Sequence, residues 1–121
     1  MIEIVHGRQE DSLLIRVIGK VSRRDIDLVV PEVENAVHLA GEPLKLMIRL
    51  EDFGGFEIGG LWQGKTFGLP RAGAFGRIAV IGDSTLEKLA TSLAAPFAGT
   101  EVRFFPQERE EAAWEWLGVA L

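Results

Sequence analysis

Three carboxylates, Glu51, Asp52 and Glu57, are the residues whose types and spacing come nearest to acid–base chemistry. They follow the apolar run 44–50, at the predicted carboxyl end of a strand, where open parallel sheets bind ligands. A carboxylate pair can serve as general acid and general base. Adjacent strand residues point to opposite faces, so Glu51 and Asp52 are not expected to converge. We expect solvated or loop-capping roles, and a hydrolase using Glu51 or Asp52 is the weakest functional hypothesis.

A second candidate is the stretch Gly82-Asp83-Ser84-Thr85, which joins a predicted strand to a predicted helix. Free backbone amides at a helix N-terminus can bind phosphate. No GxGxxG or GxxxxGK[ST] pattern is present, and Asp83 or Ser84 as a plain N-cap explains the same residues. Gly82, Asp83 and Ser84 are therefore a weak phosphate-binding candidate, with capping the favoured interpretation.

Metal and thiol chemistry have little basis in the composition. His6 and His38 are the only histidines, and cysteine is absent. Metal sites need several convergent ligands, and a histidine late in a helix, as His38 is predicted to be, interacts favourably with the helix dipole. We expect structural roles for both histidines and no metal, cofactor or catalytic residue.

The segment 44–69 combines many glycines with large apolar residues. Glycine lowers helix stability by about 1 kcal/mol per site relative to alanine, while the apolar side chains still need packing partners. This combination suits a lid, a pocket wall or a docking surface. We predict that residues 58–69 form a movable cover over an apolar cavity near the carboxyl ends of the strands.

The aromatic residues of this region suggest a ligand. Trp62 lies among glycines, with Lys65, Arg71 and Arg77 nearby in sequence, and a cavity with aromatic walls and a basic rim would suit an amphiphile with an anionic head. Core packing is the alternative for most of the aromatic residues. The predicted ligand-binding residues are Phe56, Ile58, Leu61, Trp62, Lys65, Phe67, Arg71 and Phe97.

Composition and charge indicate one globular domain, 1–121, of 121 residues. The net charge of −5 argues against nucleic-acid binding. The first residues lack the basic and long apolar regions of a signal peptide, and no apolar stretch approaches the roughly 20 residues of a membrane span. The lack of cysteine is compatible with a reducing cytoplasm, so we expect a cytoplasmic protein without an integral membrane segment.

Hydrophobic periodicity predicts the elements that would position these residues. The predicted order is ββαβαβαβα, an α/β fold with a four- to five-stranded, mostly parallel sheet, an antiparallel first strand and about four helices. Runs 44–50 and 77–81 should be adjacent central parallel strands. The predicted strands are 1–6, 13–18, 44–50, 77–81 and 101–105, and the predicted helices are 22–40, 58–67, 84–95 and 107–117.

The first predicted helix has a clear start and an internal conflict. Ser22 to Asp25 resembles a capping box, and apolar residues from Ile26 to Leu39 keep roughly helical spacing. Pro31 would remove a backbone donor inside the helix. We therefore predict a broken start, with the main helix running from Pro31 to Ala40 and ending at Gly41.

Five stretches in order along the chain carry a resemblance to a known family. They are LMIRLEDFGGF, GLWQGKTFGL, RIAVIGDSTLEKLATSLAAPF, EVRFFP and EEAAWEWL. With them, nearly the whole chain resembles the SpoIIAA-like family of small bacterial proteins. The resemblance implies a fold like the STAS domain of sporulation anti-sigma-factor antagonists, and like the related CRAL-TRIO fold that carries lipids. It implies no settled activity.

The same resemblance bears on regulation. The antagonist branch is phosphorylated on a serine in a DSSG-like motif, which corresponds here to the stretch 57–61. Ile58 and Gly59 occupy its serine positions, so that switch cannot operate there.

These observations lead to two functional hypotheses. The first is a non-catalytic binding module for a small apolar or amphiphilic, lipid-like ligand. The alternative is a regulatory protein–protein interaction domain of anti-sigma-antagonist type without the phosphorylatable serine. Because Trp114 and Trp116 are two apart on a predicted helix, both cannot face the core, so we also predict a homodimer contact through one of them and the glycine-rich segment.

Overall fold

The apolar runs of the sequence form five strands in a computed structural model that describes residues 1–6, 11–40, 43–56, 75–83 and 101–119. Two α-helices and one 3-10 turn accompany the strands within these ranges. In chain order the elements are β1 (Ile2–His6), β2 (Ser12–Val21), α1 (Arg23–Ala40), β3 (Leu44–Phe56), β4 (Phe75–Gly82), β5 (Glu101–Pro106), the turn Gln107–Arg109 and α2 (Glu110–Leu117).

The strands form one sheet in the order β1-β2-β3-β4-β5. β1 is antiparallel to β2, and the other neighbours are parallel. The prediction that 44–50 and 77–81 are adjacent parallel strands is confirmed, since Met47 pairs with Ala79 and Ile48 with Val80. The near-continuous apolar composition of both runs follows from burial on both faces. The α/β class and the antiparallel first strand are therefore confirmed, whereas the predicted helices 58–67 and 84–95 lie outside the described residues.

α1 starts where the capping box predicts. The backbone amide of Asp25 donates to the Ser22 hydroxyl (3.2 Å), and the amide of Ser22 donates to the Asp25 carboxylate (2.9 Å). The two side chains thus satisfy each other's orphan amides. The Ser22 amide, together with the Ser22 hydroxyl, lowers the pKa of Asp25 against the opposing effect of desolvation.

The predicted break at Pro31 is wrong, because α1 is continuous from Arg23 to Ala40 with Pro31 inside it. A proline in a helix interior costs about 3 kcal/mol. Val29 and Val33, on either side of Pro31, are only 4% and 0% exposed, and burying each such side chain contributes about 1.5–3 kcal/mol. Pro31 itself is exposed. The free energy gained by burying Val29 and Val33 therefore exceeds the cost of the backbone hydrogen bond that Pro31 removes.

β3 runs further than its apolar run predicts, to Phe56 rather than Leu50. β2 supplies backbone partners over this extension, as far as the pair Val21–Phe56. The two strands stay paired across a bulge in which residues 52–54 lie opposite Gly19. Gly19 has φ of 65° and Asp52 has φ of 48°, a region that glycine adopts freely and aspartate tolerates better than most residues.

Helices cover the two faces of the sheet. α1 packs on one face, over a core that includes Leu13, Val17, Val33, Leu46, Leu50 and Val80. α2 packs on the opposite face, over Leu14, Met47, Ala79, Ile81 and Phe105. An ion pair between Arg49 of β3 and Glu110 of α2, 2.6 Å apart, attaches the start of α2 to the middle strand.

Two basic side chains hold the other end of α2. Arg77 donates to the carbonyl oxygen of Trp116 (2.6 Å), and Lys45 Nζ lies 3.3 Å from that of Gly118. Gly118, with φ of 83°, closes the helix as a left-handed cap. Cations are favourable at this end of a helix because its carbonyl groups carry partial negative charge.

The two tryptophans of α2 differ in burial, as their spacing predicts. Trp114 is buried at 3% exposure, and Trp116 is half-buried beside the Phe105 ring, 5.7 Å between centroids. The Arg77 guanidinium covers the Trp116 ring at 5.0 Å. Trp116 therefore has contacts within its own chain, and the homodimer contact through a closing tryptophan stays a prediction.

Candidate functional site

The predicted carboxyl-edge site is described only in part. Phe56 is the last residue of β3, Gly82 is the last residue of β4, and Asp83 follows as an exposed residue. Arg49 pairs with Ile81, so β3 runs on past the end of β4 and the two strands finish at different heights. The phosphate-binding candidate Ser84, the carboxylate candidate Glu57 and the predicted cover 58–69 lie outside the described residues. So do the predicted ligand-binding residues Ile58, Leu61, Trp62, Lys65, Phe67, Arg71 and Phe97.

Glu51 is engaged in an ion pair. Arg16 of β2 donates from Nε to one Glu51 oxygen (2.6 Å) and from Nη2 to the other (3.2 Å), while Nη1 reaches Glu3 of β1 at 2.7 Å. The hydrogen bonds from Arg16 lower the pKa of Glu51, although partial burial opposes them. A carboxylate held in its charged form is poorly suited to act as a general acid near neutral pH. Asp52 is exposed on the bulge and directly follows Glu51, whose two oxygens are bound by Arg16.

Arg16 is the residue that sequence reasoning missed at this place. It interrupts the apolar run 13–18, and its Cα partners are Glu3 on one side and Arg49 on the other. A charge inside an apolar strand was a readable signal that one face of the sheet is polar there. The row formed by Glu3, Arg16 and Glu51 is therefore a cross-strand ion network that ties β1, β2 and β3 together.

The histidines occupy separate elements, as predicted. His6 is the last residue of β1, and His38 is exposed in the last turn of α1. Across the described ranges, no group of three or more histidine, aspartate and glutamate side chains gathers in a way that could hold a metal ion.

A cleft opens at the opposite edge of the sheet from the predicted site. It lies where β2 and β3 begin, under the C-terminal half of α1, and has a volume of about 650 Å³. Its strand side is lined by Ile4, Ser12, Leu13 and Leu44, and its helix side by Glu32, Asn35, Ala36 and Leu39.

The periodicity of α1 produces the helix wall of this cleft. Glu32, Asn35, Ala36 and Leu39 recur at intervals of three and four residues, so they share one face of the helix. Leu39, which the sequence pattern groups with the buried apolar stripe, is 74% exposed. By contrast, Leu13 and Leu44 on the strand side are 2% and 1% exposed. The cleft thus has a buried apolar floor and a leucine at its mouth.

Sequence reasoning missed this cleft because its residues come from four separate elements. The one local signal was that α1 carries two leucines away from its buried side. They are Leu28 and Leu39, which lie 11 positions apart. Both leucines are exposed, at 62% and 74%, and so lie off the buried stripe that Val29 and Val33 define.

The helices of the described ranges include none that is long and apolar enough to cross a membrane. No curated protein matches this chain.

One solved structure shares the fold over almost the full length. It is an uncharacterized protein of the DUF3478 family from Shewanella loihica PV-4, described as having a SpoIIAA-like fold. The two chains are 27% identical, the alignment covers 97% of this chain and 92% of that one, and the TM-score is 0.71. The family model described as SpoIIAA-like matches residues 13–118. This match includes four of the five described strands and both described α-helices, and the chain belongs to the SpoIIAA-like family.

Proposed function

We propose that this protein is a non-catalytic binding module for a small apolar or amphiphilic ligand, which it holds in the cleft between α1 and the first three strands. The observation that carries the proposal is the cleft itself. Its volume of about 650 Å³ falls within the range of about 300–1,000 Å³ that is typical of small-molecule sites. Its described lining combines apolar side chains with the polar residues Ser12, Glu32 and Asn35, and ligand sites commonly combine apolar walls with a few polar groups.

The lining favours a ligand with an apolar body and a polar end. Leu13 and Leu44 form the buried floor, while Glu32 and Asn35 are exposed on the helix wall. Each buried methylene group contributes about 0.8 kcal/mol, so eight of them contribute roughly 6 kcal/mol before the entropic cost of association.

The non-catalytic assignment is supported by the ion pair at Glu51. Its two oxygens are bound by Arg16, which leaves the strongest acid–base candidate in a structural role. The composition suits a reducing cytoplasm, because cysteine is absent.

Two exposed leucines of α1 provide a matched test. Leu39 lines the cleft and Leu28 does not, yet both are exposed on the same helix. We expect dodecanol to shift the methyl resonances of Leu13, Leu39 and Leu44 in heteronuclear NMR, and Leu39→Ser to weaken its binding about tenfold. Leu28→Ser should bind as the unchanged protein does. Equal effects of the two substitutions, or no binding at all, would contradict the proposal.

Native mass spectrometry of freshly purified protein provides an independent measurement. A bound apolar molecule that is retained by the unchanged protein and lost from Leu39→Ser would support the proposed site. A molecule retained equally by both proteins would show that it binds elsewhere.

Regulatory protein–protein interaction is the second candidate function, and Leu28 favours it. This side chain is 62% exposed and lies outside the cleft, so it could contact a partner protein without occupying the cleft. A partner captured by the unchanged protein and by Leu39→Ser, but not by Leu28→Ser, would favour this function over ligand binding.

A further inference from the structure

We propose that the cleft selects a single-chain amphiphile with a cationic, ammonium-type head group, an inference that rests on the proposed ligand-binding function. The electrostatics of the lining carry it. The only charged residue of the described lining is Glu32, an exposed carboxylate on the helix wall. Asn35 lies one turn further along the same wall and offers an amide oxygen that can accept a hydrogen bond. An ammonium group can donate to both kinds of oxygen.

Glu32 has no competing cation in the described part of the chain. No ion pair of Glu32 is found there, and the lining residues include no lysine, arginine or histidine among those described. The carboxylate is therefore available to a ligand.

Lys45, the lysine next to the cleft floor in sequence, faces the other side of the sheet. Lys45 follows Leu44 of the cleft floor and pairs with Ser12 in the strand register. Its Nζ lies 3.3 Å from the Asp11 carboxylate and 3.3 Å from the Gly118 carbonyl oxygen. Gly118 caps α2, which packs on the face opposite α1. Lys45 is thus held away from the cleft.

The direction of α1 adds to the negative potential. Asn35, Ala36 and Leu39 belong to the C-terminal half of the helix, which ends at Ala40. The carbonyl end of a helix carries partial negative charge and favours cations in its last turn. The helix end has the same sign as the Glu32 charge, but Glu32 lies two turns before it and His38 lies in the last turn, so the carboxylate is the main source of the preference.

This preference is opposite to the one that the sequence suggests for the carboxyl edge. There, Lys65 and Arg71 lead to the expectation of an anionic head group, and both lie outside the described residues. The cleft lies at the other edge of the sheet, where the described charges favour a cation. Head-group charge therefore distinguishes the two sites.

Three probes with the same number of carbon atoms separate the apolar and electrostatic contributions. We expect the unchanged protein at pH 7 and low ionic strength to bind dodecylamine about tenfold more tightly than dodecanoate, with dodecanol between them. Because Glu32 is exposed, the difference should shrink at high salt. Affinity is measured from methyl shifts of Leu13 and Leu44, with each probe below the concentration at which it forms micelles.

Glu32→Gln should remove most of the difference between dodecylamine and dodecanoate while leaving dodecanol binding unchanged. Glu34→Gln is the matched control, because it makes the same charge change on α1 at a residue outside the lining. If dodecanol binds, but dodecylamine and dodecanoate bind with equal affinity, the charge inference alone is overturned. An equal response to Glu32→Gln and Glu34→Gln would overturn it too. Failure of all three probes to bind would overturn the proposed function as well.

Discussion

Arg16 binds both carboxylate oxygens of Glu51 and so joins β2 to β3 next to the bulge at Gly19. The same guanidinium contacts Glu3 at 2.7 Å, which extends the connection to β1. All three side chains are about one-third to two-fifths exposed, so solvent screens their attraction. The network therefore specifies strand register more than it adds stability, because a one-residue slip would separate the partners.

The first prediction concerns pH. The folded-state pKa of Glu51 is lowered by Arg16, so its stabilising contribution is present above the unfolded value of about 4.3 and is lost as pH falls through the folded value. Arg16→Met should reduce stability at pH 7 and flatten the pH dependence below pH about 4. Urea unfolding at pH 7 and in the acid range measures both effects. An unchanged acid profile in Arg16→Met would show that other carboxylates determine it.

The second prediction concerns the capping box of α1. Ser22→Ala removes the acceptor of the Asp25 amide and should cost about 0.5–2 kcal/mol in the free energy of unfolding. Ser22→Thr keeps a hydroxyl and should remain close to the unchanged protein. Because the pKa of Asp25 is lowered by its bonds to Ser22, this contribution is also present above the unfolded value and is lost as pH falls. Denaturant titrations of the two variants check the ranking, which would be contradicted if Thr were as damaging as Ala.

The third prediction concerns Pro31. It lies in the interior of α1 and is exposed, so Pro31→Ala restores a backbone donor without creating a cavity. We expect a gain of about 1–3 kcal/mol, since the cost of about 3 kcal/mol for helix-interior proline is partly offset by proline's smaller unfolded-state entropy. Thermal unfolding measures it. A loss of stability would mean that the ring contributes packing that outweighs the missing hydrogen bond.

The fourth prediction concerns Arg77, which bonds the Trp116 carbonyl oxygen and covers the Trp116 ring. Arg77→Ala should cost about 1–2 kcal/mol through one hydrogen bond and one cation–π contact. Arg77→Lys should recover part of this loss, because it keeps the charge and loses the planar stack. Urea unfolding followed by tryptophan fluorescence measures both variants. Equal losses for Ala and Lys would indicate that planar stacking, rather than charge, accounts for the contact.

Local composition was enough to predict the two central strands. The runs at β3 and β4 are apolar at nearly every position because both faces are covered, and they pair as expected. The start of α1 was also readable, since Ser22 and Asp25 satisfy each other within one helical turn. Such features depend on neighbours in sequence, and their physical causes are therefore visible in it.

Other features depended on partners that are distant in sequence. The extension of β3 to Phe56 requires the backbone of β2 beside it, and Pro31 stays inside α1 because Val29 and Val33 bury a helical face against the sheet. Neither partner can be identified from a local pattern, so the predicted strand end and helix break were wrong.

The cleft also combines a feature that the local sequence determines with features that depend on distant parts of the chain. The sequence determined that α1 carries Glu32, Asn35 and Leu39 on one face, because helical periodicity places them there. Only the tertiary structure decided that this wall stands over Leu13 and Leu44 and that Lys45 is held on the far face. The physical reason is that a cavity and its electrostatic sign depend on how separate elements pack and on which face each charged side chain finds its partner.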